Sequence, residues 1–296
     1  MILLLGTGIV DMQYPASYLL HKKYALIEFI LFKVSTSLRK HLLHHSVVST
    51  TGNVYYADFL KAIDDCCDFL KIDLATFTQY FLDHPKWAQE VWEKSNGNPD
   101  VFNNTIAEQY ADKNLAANCI YSFSLKYSYD TLYYYLHKLA STQKEVVVCD
   151  YGCANANISF AMAQRKLITN LQCTDLPNMS ADFIAYRAKK HNLKFIEWHD
   201  VRDFAWSHNQ FDAVICFDVL EHLPHPSSLV NEVLYPMLKQ GGILLLQAPW
   251  GGGVPSHLDE AIIDFYQNGG KSFISKRFKK IYSMAAMDIS GVWQKK

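Results

Sequence analysis

Three acids and two histidines carry the chemistry legible in this chain of 296 residues. Asp150, Asp175 and Asp200 each close a largely apolar run, VVVCD, LITNLQCTD and KFIEWHD, so each carboxylate falls at the carboxyl end of a strand. In an open parallel sheet those ends border the ligand crevice. Asp150 opens a tight turn whose one glycine is Gly152, with Ala154 and Ala156 at the later positions. A dinucleotide turn uses three glycines to let backbone approach a pyrophosphate, and an acid at its mouth would repel that group. The same acid favours a ligand carrying an ammonium and a sulfonium, which points to S-adenosylmethionine. Asp175 is spaced to accept hydrogen bonds from both ribose hydroxyls, with Leu176 beside it. Asp200 is placed to accept from the adenine amino group while Val201 packs on the ring. His257 and His222 are of the type that can take a proton from a hydroxyl acceptor, because imidazole titrates near about pH 6.5.

The elements needed to position these groups can be read in order. The run at 146–148 is a buried strand, and Ile158, Phe160, Ala161 and Met162 form the apolar side of a helix after it, with Asn155 or Asn157 as candidate cap. Strand, small-residue turn and helix open a doubly wound unit. A strand ending at Asp175, a helix over 180–191, the strand ending at Asp200 and the strand FDAVICF continue it. A helix over 228–238 and the Gly241-Gly242 turn lead to a further strand, ILLLQAPW, and a final strand or hairpin is expected near the C-terminus. His257 follows Gly251 to Gly253 in the loop after ILLLQAPW, where a loop can border a substrate and close over it.

These segments resemble the class I S-adenosylmethionine-dependent methyltransferase superfamily. The resemblance lies in the acid, spacer and small-residue loop from Asp150, the acids at the next two strand ends, the FDVLEH turn after the fourth strand and LKQGG before the fifth. The alanines depart from the family's preferred glycines, and Gln240 stands where proline is frequent. The resemblance runs from 145 to about 250. It implies an α/β, Rossmann-like doubly wound sheet, S-adenosylmethionine as cofactor, and Phe217, Asp218, Val219 and His222 along its methionine end. Glu221, His222 and His225 are metal-ligand types, but Pro224 and Pro226 interrupt the helix that would align them, so no metal is expected.

Half of the residues are hydrophobic and the net charge is -1, which supplies a core and no reason to expect nucleic acid. The seven scattered cysteines form no pair of CxxC motifs, which suits a reducing cytoplasm. MILLLGTGIV and YALIEFILFKV are too short for a stable membrane insertion, and the second reads as a buried amphipathic helix. From 14 to 139 the pattern is helical, with candidates at 19–44, 56–70, 74–82, 87–93, 103–110 and 121–139. The expected division is therefore a mostly helical N-terminal region, 1–143, preceding a cofactor-binding domain, 144–296. His41, His44 and His45 share one helix face as a solvated cluster. The spacing over 55–70 also suits a small helix-turn-helix, which in the family resembled often appears as a dimerising winged-helix region and implies a homodimer, and it shows no basic face for DNA. The tyrosines from Tyr121 to Tyr135 should be packing residues that lend polar tips to an acceptor pocket. The expected activity is methyl transfer to oxygen of a small, partly apolar metabolite. N-methylation is the nearest alternative. A nicotinamide-dependent oxidoreductase is opposed by Asp150, and a catalytically silent Rossmann interaction module is a third class.

Overall fold

The computed structural model describes residues 50–122, 126–204, 207–250, 255–284 and 289–296. Short apolar runs bounded by polar turns form five parallel strands, β1 (Val147–Tyr151), β2 (Asn170–Asp175), β3 (Ile196–Asp200), β4 (Phe211–Phe217) and β5 (Leu238–Gln247). The C-terminal segment supplies β6 (Phe278–Ser283) and β7 (Gly291–Lys295), and β7 runs antiparallel between β5 and β6. The order is β3-β2-β1-β4-β5-β7-β6. Strands are added outward on one side through β3 and then on the other from β4, so the topological switch lies between β1 and β4. Ligands of open α/β sheets bind at the carboxyl ends of strands at such a point.

Both faces of the sheet are covered, which is why its central strands β1, β4 and β5 are buried over most of their length. On one face Val148, Leu171, Ala213, Ile215 and Leu245 pack with α1 (Thr50–Leu70), α5 (Lys126–Thr142) and α6 (Asn157–Gln164) through Ala62, Leu132, Leu136, Phe160 and Met162. On the other, Cys149, Val214, Cys216, Leu244 and Leu246 meet Val230, Leu234, Phe265 and Ile274. Those last residues come from the helical segment 226–237 (α8), which passes through a π-helical stretch at Leu229–Leu234, and from α9 (Asp259–Gln267) and α10 (Gly270–Arg277). The remaining helices are α2 (Leu74–Lys94), α3 (Pro99–Gln109), α4 (Ala111–Tyr121) and α7 (Met179–Lys190).

Three expectations change. Helices anticipated at 74–82 and 87–93 are one helix, α2, running through Pro85. Proline removes one i→i−4 bond, but Phe77, Phe81, Trp87, Ala88 and Val91 are all buried and hold both halves in place. The helix anticipated over 121–139 divides, because α4 ends at Tyr121 and α5 begins at Lys126. The segment 50–70 is a single unbroken helix rather than a helix-turn-helix. The 19–44 helix and the histidines at 41, 44 and 45 lie outside the described residues. Among the described residues no helix is long and apolar enough to cross a membrane.

Polar contacts fasten the helical layer to the sheet. Asp65 on α1 is met by Arg187, Lys190 Nζ at 2.9 Å and His191 at 2.8 Å at the end of α7. Arg187 is itself buried with its guanidinium 3.9 Å from the Phe160 ring centre. Arg165 closes a second link, donating from Nε and Nη2 to Asp58, which also accepts from the Tyr129 hydroxyl at 2.5 Å.

Candidate functional site

The turn after β1 is built around Asp175. Gly152 and Cys153 donate their backbone N–H groups to the Thr174 carbonyl, at 2.8 and 3.1 Å. The Ala154 and Leu176 amides donate to the two oxygens of the Asp175 carboxylate at 2.6 and 2.7 Å. Burial raises the Asp175 pKa and these two amides oppose it. Gly152 sits at φ +67°, and a Cβ there would stand 2.4 Å from Val219 Cγ2. Glycine is thus required both by conformation and by the close approach of the turn after β4. Ala154 and Ala156 also adopt positive φ, +44° and +50°, so the alanines keep a left-handed backbone at positions where glycine would cost less.

Asp150 is buried at the end of β1 and accepts from the Ser159 hydroxyl at 2.5 Å. Burial pushes its pKa up to about 7, against the Ser159 bond and with help from the charge of Asp175. Among the described residues no cation pairs with it. Asn155 and Asn157 do not cap α6, whose N-cap is Ala156 without a side-chain bond. Both are buried in bonds to the helical layer: Asn155 to the Leu115 carbonyl, Cys119 and Ser180, and Asn157 to Arg187 at 2.9 Å. They bolt the turn to α4 and α7 rather than completing a helix end.

Asp200 pairs in register with Asp175 across β2 and β3. Its carboxylate is taken up by Arg202, whose bonds, with Nη2 at 2.6 Å, hold its pKa below the usual range. Val201 donates its amide to the Asp175 carbonyl. Leu176 is exposed, as is Asp218, while Phe217 and Val219 are half-buried. Asp218 takes φ +55° and is held by Gln247, which donates from Nε2 at 2.8 Å and accepts its backbone N–H at 2.9 Å. Ser128 on α5 donates to the same glutamine at 2.5 Å. The helical layer therefore reaches the ends of β4 and β5 through one side-chain relay, which the sequence did not signal.

His222 and His257, far apart in sequence, are adjacent, with ring centres 4.9 Å apart and planes at 78°. His222 lies in the 3₁₀ turn Leu220–His222 after β4, and His257 follows β5. The Leu258 amide donates to the Glu221 carbonyl at 2.9 Å and pins the two segments together. His222 Nδ1 faces the Ser256 carbonyl and hydroxyl at 3.0 Å each. A carbonyl only accepts, so Nδ1 carries the proton and Nε2 presents its lone pair. Burial lowers the His222 pKa. Glu221 is buried beside them, and burial together with the charge of Asp218 holds its pKa well above the usual range. Its partner in this cluster is His257, not the exposed His225, which lies 3.9 Å from Asp264. Only the approach of the two loops brings His257 and Glu221 together.

The profile of a family described as "Methyltransferase domain" matches residues 142–288. A ubiquinone biosynthesis O-methyltransferase of Pseudomonas entomophila (strain L48) is 33% identical over 102 residues, covering 32% of this chain and 40% of that protein. The corresponding protein of Psychrobacter arcticus is 31% identical over 103 residues, 33% of this chain and 39% of its own. The chain thus spans about 40% of the length of the curated relatives it matches. The solved PH0226 protein from Pyrococcus horikoshii OT3 aligns with a TM-score of 0.42 and 16% identity over 58% of this chain and 92% of its own. With acids at the carboxyl ends of β1, β2 and β3 and the Gly152 turn at the switch point, the domain at 142–288 belongs to the class I S-adenosylmethionine-dependent methyltransferase superfamily.

Proposed function

We propose that the chain transfers a methyl group from S-adenosylmethionine to the oxygen of a small, partly apolar organic acceptor. The observation that carries this reading is Asp150, a buried carboxyl at the end of β1 that pairs with no cation among the described residues. A pyrophosphate would be repelled there, whereas an ammonium and a sulfonium would favour the carboxylate. When bound, S-adenosylmethionine supplies an electrophilic methyl for in-line displacement. Asp175 would accept from the ribose hydroxyls through lone pairs that its two amide donors leave free, and Asp200 would receive the adenine amino group once Arg202 yields. Gly152, Ala154, Phe217, Asp218 and Val219 would line the remainder of the cofactor. The chain's own contribution is orientation and exclusion of water, and the acceptor hydroxyl would meet the His222–His257 cluster, where its proton leaves.

Oxygen as acceptor atom is supported by the activity named for the partial relatives. The helical region 1–143 would build the acceptor side or an oligomer contact on the domain 144–296. Seven free cysteines suit a reducing cytoplasm.

The test is equilibrium titration of the full chain with S-adenosylmethionine and with NAD, followed by turnover with labelled cofactor and cell-extract metabolites. Gly152→Arg and Asp175→Ala should each weaken S-adenosylmethionine binding, the latter by roughly tenfold to a hundredfold, as for loss of a charge-assisted hydrogen bond. His257→Ala should keep the cofactor affinity and lose roughly a hundredfold or more in turnover. Tighter binding of NAD, or unaltered titrations of both cofactor variants, would overturn the reading. Cofactor binding without turnover on any acceptor would indicate an interaction module.

A further inference from the structure

Glu221 stands out among the buried side chains. It is 1% exposed, and apart from its own backbone amide its carboxylate oxygens have no hydrogen-bond partner among the described residues. A buried carboxylate left this way is costly. The nearby acid Asp218 adds repulsion, and no lysine or arginine forms an ion pair with Glu221 among the described residues. What surrounds it instead is imidazole. Glu221, His222 and His257 each offer a donor atom, and these atoms lie within 4.8 Å of one another. Three donors bound tetrahedrally to one ion at about 2.0–2.2 Å stand about 3.3–3.6 Å apart, so side-chain rotations that shift the donor atoms by roughly 1 Å would close the set.

We infer that Glu221, His222 and His257 form a binding site for a divalent transition-metal ion at the carboxyl ends of β4 and β5. Two imidazoles and one carboxylate suit zinc, iron(II), cobalt(II) or manganese(II) better than calcium. The Ser256 carbonyl does for His222 what outer partners do for metal-bound histidines: it fixes the tautomer and turns Nε2 toward the cluster, 3.9 Å from Glu221 Oε1. Three protein ligands leave positions open for water or for an oxygen of the acceptor. The expectation that no metal is needed considered His225, which belongs to another contact. His257, from the following loop, completes the set.

The site deepens the methyl-transfer reading and rests on it only for its consequence. A hydroxyl bound to the ion would lose its proton to bulk water at lower pH than a free one. The freed oxygen pair would then form the new bond to the methyl as the carbon–sulfur bond breaks onto sulfur. His222 and His257 would serve as ligands in that step.

The experiment is titration of the full chain with cobalt(II) alone, followed by visible absorption and by equilibrium dialysis. The wild type should take up one equivalent with ligand-field bands of a nitrogen-containing low-symmetry site. Glu221→Gln, which preserves shape, and His257→Ala should each weaken uptake tenfold or more, while His225→Ala leaves it unchanged. S-adenosylmethionine affinity, read in parallel, reports folding and tests the cofactor reading separately. Cobalt uptake without cofactor binding would sink the methyl-transfer reading and leave the metal site standing. Equal uptake by wild type, Glu221→Gln and His257→Ala, or none by a wild type that binds cofactor, would overturn the metal site.

Discussion

Asp150 shows how burial can tie a single side chain to the binding of a charged ligand. Burial, helped by the Asp175 charge and opposed by the Ser159 hydrogen bond, pushes its pKa up to about 7. A cationic ligand favours the ionised form, so binding below that value must release a proton. We expect the dissociation constant for S-adenosylmethionine to rise by up to about tenfold per pH unit below pH 7 and to level off above it. Asp150→Asn should flatten that profile, which calorimetry in buffers of different ionisation heat would read directly as a lost proton release. Ala156 offers a second case at this scale. It holds φ +50° at the start of α6, where an L side chain costs about 1 kcal/mol relative to glycine. Ala156→Gly should therefore raise the midpoint of denaturant unfolding by an amount equivalent to about 1 kcal/mol. A lower midpoint would show that the packing of the Ala156 methyl outweighs its strain.

At the scale of elements, α1 and α7 are joined by the cluster around Asp65. Burial raises the Asp65 pKa, but Lys190, His191 and Arg187 overcome it and leave it below the usual value. A carboxylate with a lowered folded pKa contributes stability that is fully present above its unfolded value, about 3.9. That stability is lost as pH falls through the lower folded value. Asp65→Asn leaves Arg187 buried without its charge partner and should cost about 3 kcal/mol or more at neutral pH. The gap between wild type and variant should narrow in denaturant titrations below about pH 4. A gap independent of pH would mean that the amide's shape, not the charge, carries the loss.

At the scale of the whole molecule, the helical layer and the sheet share a core. Tyr55, Leu132 and Leu136 of α1 and α5 belong to the same buried cluster as Val148, Phe160 and Ile215. Asn155 and Asn157 bind α4 and α7, and Ser128 reaches Gln247 and hence Asp218. A fragment comprising 144–296 would expose that face, strip Asn155 of the Leu115 carbonyl and Cys119, and leave Arg187 without Asp65. We expect it to unfold at lower denaturant than the full chain and to bind S-adenosylmethionine more weakly. Equal stability and affinity of the fragment would show that the helical layer is dispensable to the cofactor site.

The carboxyl-end acids, the apolar strands and the Gly152 turn were legible in the sequence because they are local. A short β-branched run, a small-residue turn and a helix period each fit within about twenty residues. That much determined the doubly wound α/β class and the choice of Asp150, Asp175 and Asp200. Local pattern misled at Pro85, where buried residues on both sides keep α2 continuous, and at Asn155 and Asn157, whose side chains looked like caps but were claimed by other helices. Contacts between distant segments were decided only in three dimensions. The Val219 side chain over Gly152, Arg202 on Asp200, the Ser128–Gln247–Asp218 relay and the meeting of Glu221 with His257 all depend on how separate loops approach. Spacing along the chain does not encode such approaches, because they are set by which strand ends the sheet order places side by side.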